Sequence, residues 1–383
     1  MFRRLLLLGF LGLQAFGYAV LTHEAIIDTV WLDGIKPLLL KRFPQAAEDD
    51  LTKAHAFAYG GAIIQDGGYY PFGSHLFSDL VHYVRSGDFI VALLRDAQDL
   101  NEYAFALGAL SHYAADEEGH SIATNHVVPM LYPELKQEFG NVVTYEDNPA
   151  AHLKTEFGFD VAQVARGHYA PQSYHDFIGF EVSKPLLERA FKETYGLDLK
   201  DVFLSVDLAL GSYRRTVSNI IPGTTKLAWE LKKDELRKAE PTVSRKKFVY
   251  NLSRASYEKE WGKEYQRPGW KSRVFAWIIR VVPKVGPFRA LAFKAPTPAA
   301  ENLFVKSFNA TVDRYRGLLR DSQAPNFKLV NRNFDTGQPI VAGKYKMADD
   351  AYAKLVERLK KKDFADVSPE LRADIERFYG KPL

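Results

Sequence analysis

The sequence predicts an all-α protein, and three observations carry that reading. Apolar residues recur at three- and four-residue spacing over long stretches, clusters of Gly and Pro such as "DGGYYPFGS" and "YEDNPAAH" separate those stretches, and no alternating strand pattern of any length occurs. A chain of 383 residues with 46% apolar and 13% aromatic content is long enough for one large or two ordinary domains with a real core.

Along the chain, the first residues, "MFRRLLLLGFLGLQAFGYAV", have the form of a secretory signal: Arg3 and Arg4, an apolar stretch from Leu5 to Phe16, and the small residues Ala15, Gly17 and Ala19 at a cleavage site. The apolar stretch is too short to span a bilayer, so residues 1–17 are expected to be removed, with cleavage after Gly17 or, alternatively, after Ala19. Loss of residues 1–17 leaves 49 Lys+Arg against 47 Asp+Glu, a formal net charge of +2, which excludes a globally basic nucleic-acid binder. No cysteine occurs, so an exported chain holds together through its core, through bound metal, or through both. The expected location is the bacterial periplasm or the extracellular space.

Helical periodicity then runs from about residue 22 to 235, in "EAIIDTVWLDGIKPLLLKRF", "DLTKAHAFAYGGAII", "DFIVALLRDAQDLNEYAFALGALSHYAAD", "SYHDFIGFEVSKPLLERAFKETYG" and "DVFLSVDLALGSYRRTVSNII". Residues 237–294 differ: fifteen Lys+Arg stand against four Glu, an excess of +11 that leaves the rest of the mature chain at about −9, with Trp261, Trp270, Phe275, Trp277 and Phe288 interleaved. Such a segment can lie on an anionic membrane surface, or serve as a helical connector whose aromatics pack on its own core. A helix over 300–321, a polar loop through "NRNFDTGQPIVAGK" and two closing helices follow, the last capped by Ser368 and stopped by Gly380. No catalytic pattern is visible in this tail. The expected organisation is a signal peptide over 1–17, a helical catalytic domain over 18–236 and a helical extension over 237–383.

The chemistry concentrates in "ALSHYAADEEGHSIATNH", residues 109–126, where His112, Asp116 and His120 recur every four residues and His126 follows. On an α-helix these positions share a stripe, which suits metal ligands from neighbouring turns and equally suits the polar outer face of an amphipathic helix. His152 and Glu156 repeat the spacing with the same residue types, Asp66 follows an apolar stretch at a Gly-rich turn, His82 sits on an otherwise apolar stretch, and His23 lies just behind the expected mature N-terminus. His55, His168 and His175 are read as structural, and Arg85 as the ion-pair partner of Asp88 rather than a phosphate contact. Asp66, His82, His112, Asp116, His120, His152 and Glu156 suffice for more than one metal ion, and clustered zinc suits phosphoester hydrolysis.

In this order the residues resemble the zinc-dependent phospholipase C superfamily, which also holds the fungal zinc-dependent single-strand nucleases and, more distantly, glycosylphosphatidylinositol-specific phospholipase D. The resemblance covers roughly residues 18–230 and implies an all-helical enzyme with up to three zinc ions. It implies that Tyr18, freed as the first residue, holds one zinc with His23 and Asp116. Asp116 would bridge to a second held by Asp66, His82 and His112, with His120, His152 and Glu156 holding the third. It also implies a role for Asp66 as general base. His75 competes with His82, which is preferred on spacing, and His126 competes with His120, which stays on the helical stripe.

The leading expectation is a secreted phosphodiesterase acting on a phospholipid, with peripheral membrane contact through 237–294 and no transmembrane span in the mature chain. One alternative keeps the zinc and takes single-stranded nucleic acid, with bases stacked on Tyr69, Tyr70 and Phe72, against which the acidic balance outside 237–294 argues. The other is a non-catalytic, zinc-stabilised binding protein.

Overall fold

The computed structural model describes residues 20–70, 72–168, 180–215, 221–248 and 292–383. Among them the chain is helical, with one isolated bridge between Arg332 and Pro339 and no strand. The helices are α1 (Val20–Val30), α2 (Lys36–Arg42), α3 (Glu48–Ile63), α4 (His75–Tyr83), α5 (Ser86–Asp96), α6 (Leu100–Gly119), α7 (Asn125–Leu131), α8 (Pro133–Phe139) and α9 (Pro149–Arg166). After them come α10 (Lys184–Tyr195), α11 (Leu199–Val202), α12 (Val206–Arg215), α13 (Ile221–Ala239), α14 (Pro298–Asp321), α15 (Lys346–Lys360) and α16 (Pro369–Tyr379).

The helix ends follow side-chain chemistry. The single periodic stretch read over 88–116 is two helices, because the Asp99 carboxylate accepts the Glu102 amide at 2.9 Å and caps a new start. Asn148 caps α9 by accepting the Ala151 amide at 2.9 Å, with Pro149 in the first turn and Gly167 closing the helix at φ 78°. Ser368 and Gly380 bound α16 as the sequence suggests. The helix expected across 173–196 begins only at Lys184, with residues 180–183 irregular and 169–179 outside the described residues. Pro185 accounts for that start, since its ring suits the first turn and removes no intrahelical donor.

Helix α6 is buried around nearly its whole circumference from Glu102 to Glu117, as expected of a helix packed on several sides. Its closest partner is α3. A Cβ on Gly61 would stand 1.9 Å from the Phe105 carbonyl oxygen, and one on Gly108 would stand 2.0 Å from that of Ala58, so paired glycines let the two backbones touch. Gln65 Nε2 donates to the Ala109 carbonyl across the same contact at 3.1 Å. The approach matters because Asp66 leaves the end of α3 opposite the turns of α6 that carry His112 and Asp116. Gly108→Ala in an exposed helix would gain up to about 1 kcal/mol. Here it is expected to destabilise by about 1–3 kcal/mol through backbone overpacking, and a denaturation midpoint above wild type would refute the contact.

The C-terminal helices join this core. Tyr315 of α14 is fully buried and donates to the Leu107 carbonyl of α6 at 2.8 Å. Tyr352, Leu355 and Leu359 of α15 and Leu371 and Ile375 of α16 share one cluster with α3 to α6 and α10. A second cluster joins α7, α8, α9 and α13 with Leu21 of α1 and Phe304 of α14. The ends of the basic-aromatic segment fold onto it: Phe248 packs against Trp229 and Phe293 edge-on against Phe157. Residues 249–291, where the membrane-contact expectation rests, and residues 1–19, with the expected signal peptide and Tyr18, lie outside the described residues.

Candidate metal centre

Elements of both cores deliver polar side chains to one buried place. His23 comes from α1, Asp66 from a short 3₁₀ turn over Ile64–Tyr69, His82 from α4, His112 and Asp116 from α6, and His152 and Glu156 from α9. His120 opens a π turn over His120–Thr124 that continues α6, a departure from the regular helix read in the sequence and a feature frequent at functional sites. These eight residues are between 0 and 5% exposed. Three carboxylates and five imidazoles taken out of water together demand compensation, since an isolated buried charge is costly.

The histidines are aimed by backbone carbonyls. His82 Nδ1 lies 2.8 Å from the Ser78 carbonyl and His112 Nδ1 lies 2.9 Å from that of Ala62, which turns both Nε2 atoms inward. His152 is held the other way round, Nε2 at 2.6 Å from the Val143 carbonyl, so Nδ1 faces the interior. A proton fixed on the outer nitrogen leaves the inner one with its lone pair, the arrangement metal-bound imidazoles need.

The inner atoms fall into three groups, His23 with His112 and Asp116, Asp66 with His82 and His112, and His120 with His152 and Glu156, the donors in each lying within 4.8 Å of one another. Asp116 is common ground: Oδ1 is 3.5 Å from His23 Nε2, while Oδ2 is 3.1 Å from His112 Nε2 and 3.4 Å from His82 Nε2. Asp66 Oδ1 is 3.4 Å from His82 Nε2, and the two ring nitrogens of His82 and His112 are 3.3 Å apart. In the third group Glu156 Oε1 is 3.7 Å from His152 Nδ1 and 3.9 Å from His120 Nε2.

Protonation follows from this crowding. Burial, joined by the neighbouring His112, pushes His23 down to about 3. Burial also opposes the His82 cation, but Asp116 and Asp66 outweigh it and raise the group to about 10. His120 is raised to about 9, burial being overcome by Asp335, Asp116 and Glu156. Burial raises Glu156 above the usual carboxylate range, whereas Asp116, though buried, is held well below it by His112 and His82.

The donor set fits a metal. Among the described residues both carboxylate oxygens of Glu156, Nδ1 of His152, and Oδ1 of Asp66 and of Asp116 receive no hydrogen bond although buried, and inward lone pairs of imidazole and carboxylate are zinc's usual ligands.

The structure also separates the competing histidines. His82 joins the cluster, while His75 is exposed at the start of α4 with its ring edge against Tyr69. His120 joins it, while His126 is half-buried and belongs to none of the three groups. His55 stacks on Trp31 at 3.8 Å with Nε2 3.1 Å from Asp28, and His168 faces Gln163; His175 lies outside the described residues. Arg85 pairs with Asp88 at 2.8 Å and donates to the Thr194 carbonyl.

Two buried carboxylates near the site escaped the sequence reading. Asp160 accepts the Leu21 amide at 3.0 Å and the Thr22 hydroxyl at 2.7 Å, anchoring the start of α1 just before His23; burial pushes it up to about 8. One more step of the four-residue spacing from His152 and Glu156 would have reached it. Asp335, from the polar loop after α14, lies 3.1 Å from His120 Nδ1, and no sequence signal pointed to it.

Fold and donors together define a buried, multi-histidine, multi-carboxylate cluster suited to metal in an all-α protein. Residues 22–204 match the family model for zinc-dependent phospholipase C. That match supports zinc as the metal and phosphodiester hydrolysis of the phospholipase C type as the activity. No curated protein and no solved structure matches the chain. Among the described residues no helix is long and apolar enough to cross a membrane.

Proposed function

We propose that this chain is an exported phospholipase C with three zinc sites, cleaving a glycerophospholipid to diacylglycerol and a phosphorylated headgroup. The observation that supports it best is Asp116, whose two oxygens face different groups of imidazoles and so suit a bridge between neighbouring cations. Tyr18, as the first residue after cleavage, would complete the group of His23 and Asp116 with its α-amino nitrogen. Asp66, His82 and His112 would form the second site with Asp116, and His120, His152 and Glu156 the third. Bound zinc would polarise a phosphoryl oxygen and make water more acidic, the two things phosphodiester hydrolysis needs.

Asp66 would be the general base. It lines a cavity with Tyr69, His82, Asp116, His120 and Tyr145, so its carboxylate can reach a water placed beside the phosphorus and take the proton. The nucleic-acid alternative loses one of its stacking candidates, because Tyr70 is buried edge-on against Tyr213 at 4.6 Å. The segment over 237–294 would supply the contact with a lipid surface.

Chain with the native processed N-terminus is expected to carry three zinc ions and to hydrolyse phosphatidylcholine vesicles, with a chelator abolishing the activity and added zinc restoring it. Cleavage of single-stranded DNA with intact lipid would move the assignment to the nuclease branch. Tightly held zinc with neither activity would favour a binding protein, and a chain without zinc would end the proposal.

A further inference from the structure

The loop between α14 and α15 reaches into the metal centre from outside residues 22–204, and it is built to do so. Asn333 Oδ1 accepts the amides of Asp335 and Thr336 at 2.9 and 3.1 Å, and Gly337 donates to the Asn333 carbonyl at 2.8 Å, so the tip is a tight turn. Phe334 is fully buried, its amide donating to the His82 carbonyl and its ring edge-on to His82 and Tyr113. Arg332 pairs with Glu117 of α6 at 2.9 Å, and Asn125 donates to the Asp335 carbonyl at 2.7 Å. The Asp335 carboxylate, 3% exposed, is thereby fixed: Oδ2 accepts the Tyr145 amide at 2.8 Å and the Tyr345 hydroxyl at 2.7 Å, and Oδ1 stands 3.1 Å from His120 Nδ1.

We propose that Asp335 is the positioning residue of the third metal group, holding His120 by Nδ1 so that Nε2 is presented beside His152 and Glu156. His152 and His112 take this outer support from backbone carbonyls within the first 204 residues, but His120 takes it from a carboxylate 215 positions away. A carboxylate 3.1 Å from Nδ1 favours the proton on that nitrogen and would leave Nε2 with its lone pair, making the ring a stronger donor than a carbonyl neighbour would. The third site thus takes a carboxylate from the C-terminal region, whereas the second meets that region through Phe334 packed on His82. The inference rests on the three-zinc reading above.

The test is zinc transfer from the full-length holoprotein to a chromogenic chelator, read as zinc released per chain. Asp335→Asn preserves volume and can still accept from Tyr145 and Tyr345, yet it should lower affinity for one zinc about 10–100-fold and leave the other two in place. Tyr345→Phe, which loosens Asp335 without touching a proposed ligand, should weaken the same zinc by a smaller factor and decides the matter if Asp335→Asn fails to fold. Equal weakening of all three ions would mean a merely structural role, and unchanged release in both variants would overturn the inference alone. A wild-type chain without zinc would overturn the three-zinc reading and this inference with it.

Discussion

Asp116→Ala should cost the protein two of the three zinc ions proposed for it and reduce phosphodiester hydrolysis by on the order of 10³-fold or more, in line with losing electrostatic stabilisation at a reacting centre. The expectation follows from geometry: Asp116 is the residue whose oxygens stand within 3.5 Å of His23, His82 and His112 together. Without it, among the described residues of these groups three buried imidazoles share only Asp66 as a carboxylate, too little negative charge to hold two dications in a dry interior. Asp116→Asn is the sharper version because it keeps the volume and removes the charge. The third group, with its own Glu156, should keep its ion in both variants. Zinc analysis beside far-ultraviolet circular dichroism separates metal loss from unfolding. Full zinc content in a folded Asp116→Ala protein would refute the shared-carboxylate reading outright.

Much of this cluster was legible because its residues sit on regular helices. A four-residue spacing is a statement about one helix face, so His112 with Asp116 and His152 with Glu156 could be paired from the sequence. Asp66 was legible for another reason, as a carboxylate leaving an apolar helix at a Gly-rich turn. Long-range contact was not legible. No local pattern tells that residue 335 meets residue 120, because the turn "NFDTGQ" looks like any polar loop and its meaning lies in the docking of Phe334. The π turn at His120 was hidden likewise, since the pattern counts residues and does not report where a helix widens. Caps set helix boundaries more finely than periodicity, and Asp99 and Pro185 made breaks inside stretches that read as continuous.

The tail illustrates a second limit. Charge and apolar spacing in α14 to α16 announce amphipathic helices but not their partner. Tyr315 against α6 and Lys354 3.5 Å from Asp79 of α4 show that the partner is the scaffold of the metal centre itself. Sequence separation and functional separation are therefore different quantities in this chain: residues 298–379 are remote in number and adjacent in space.

Removing zinc should destabilise the fold more strongly than a single core substitution, and chelation is expected to lower Tm by about 10 °C. Each ion at 100 times its Kd contributes about 2.7 kcal/mol, so three contribute about 8 kcal/mol, comparable with the whole stability of a typical domain. Spread over the unfolding entropy of a chain this long, that difference gives the stated shift. The sites would pin α1, α4, α6 and α9 to one another, elements drawn from both apolar cores, so zinc would act where a cysteine-free chain has no covalent tie. Thermal unfolding followed by circular dichroism, with chelator, with zinc restored, and with magnesium in its place, measures the effect. Recovery with zinc but not magnesium is expected, because the imidazole-rich donor set disfavours a cation that prefers oxygen and keeps its waters. An unchanged Tm on full zinc removal would mean that the buried carboxylates are compensated by the protein alone, through the protons that His82 and His120 hold, and the metals would then belong to catalysis without belonging to the fold.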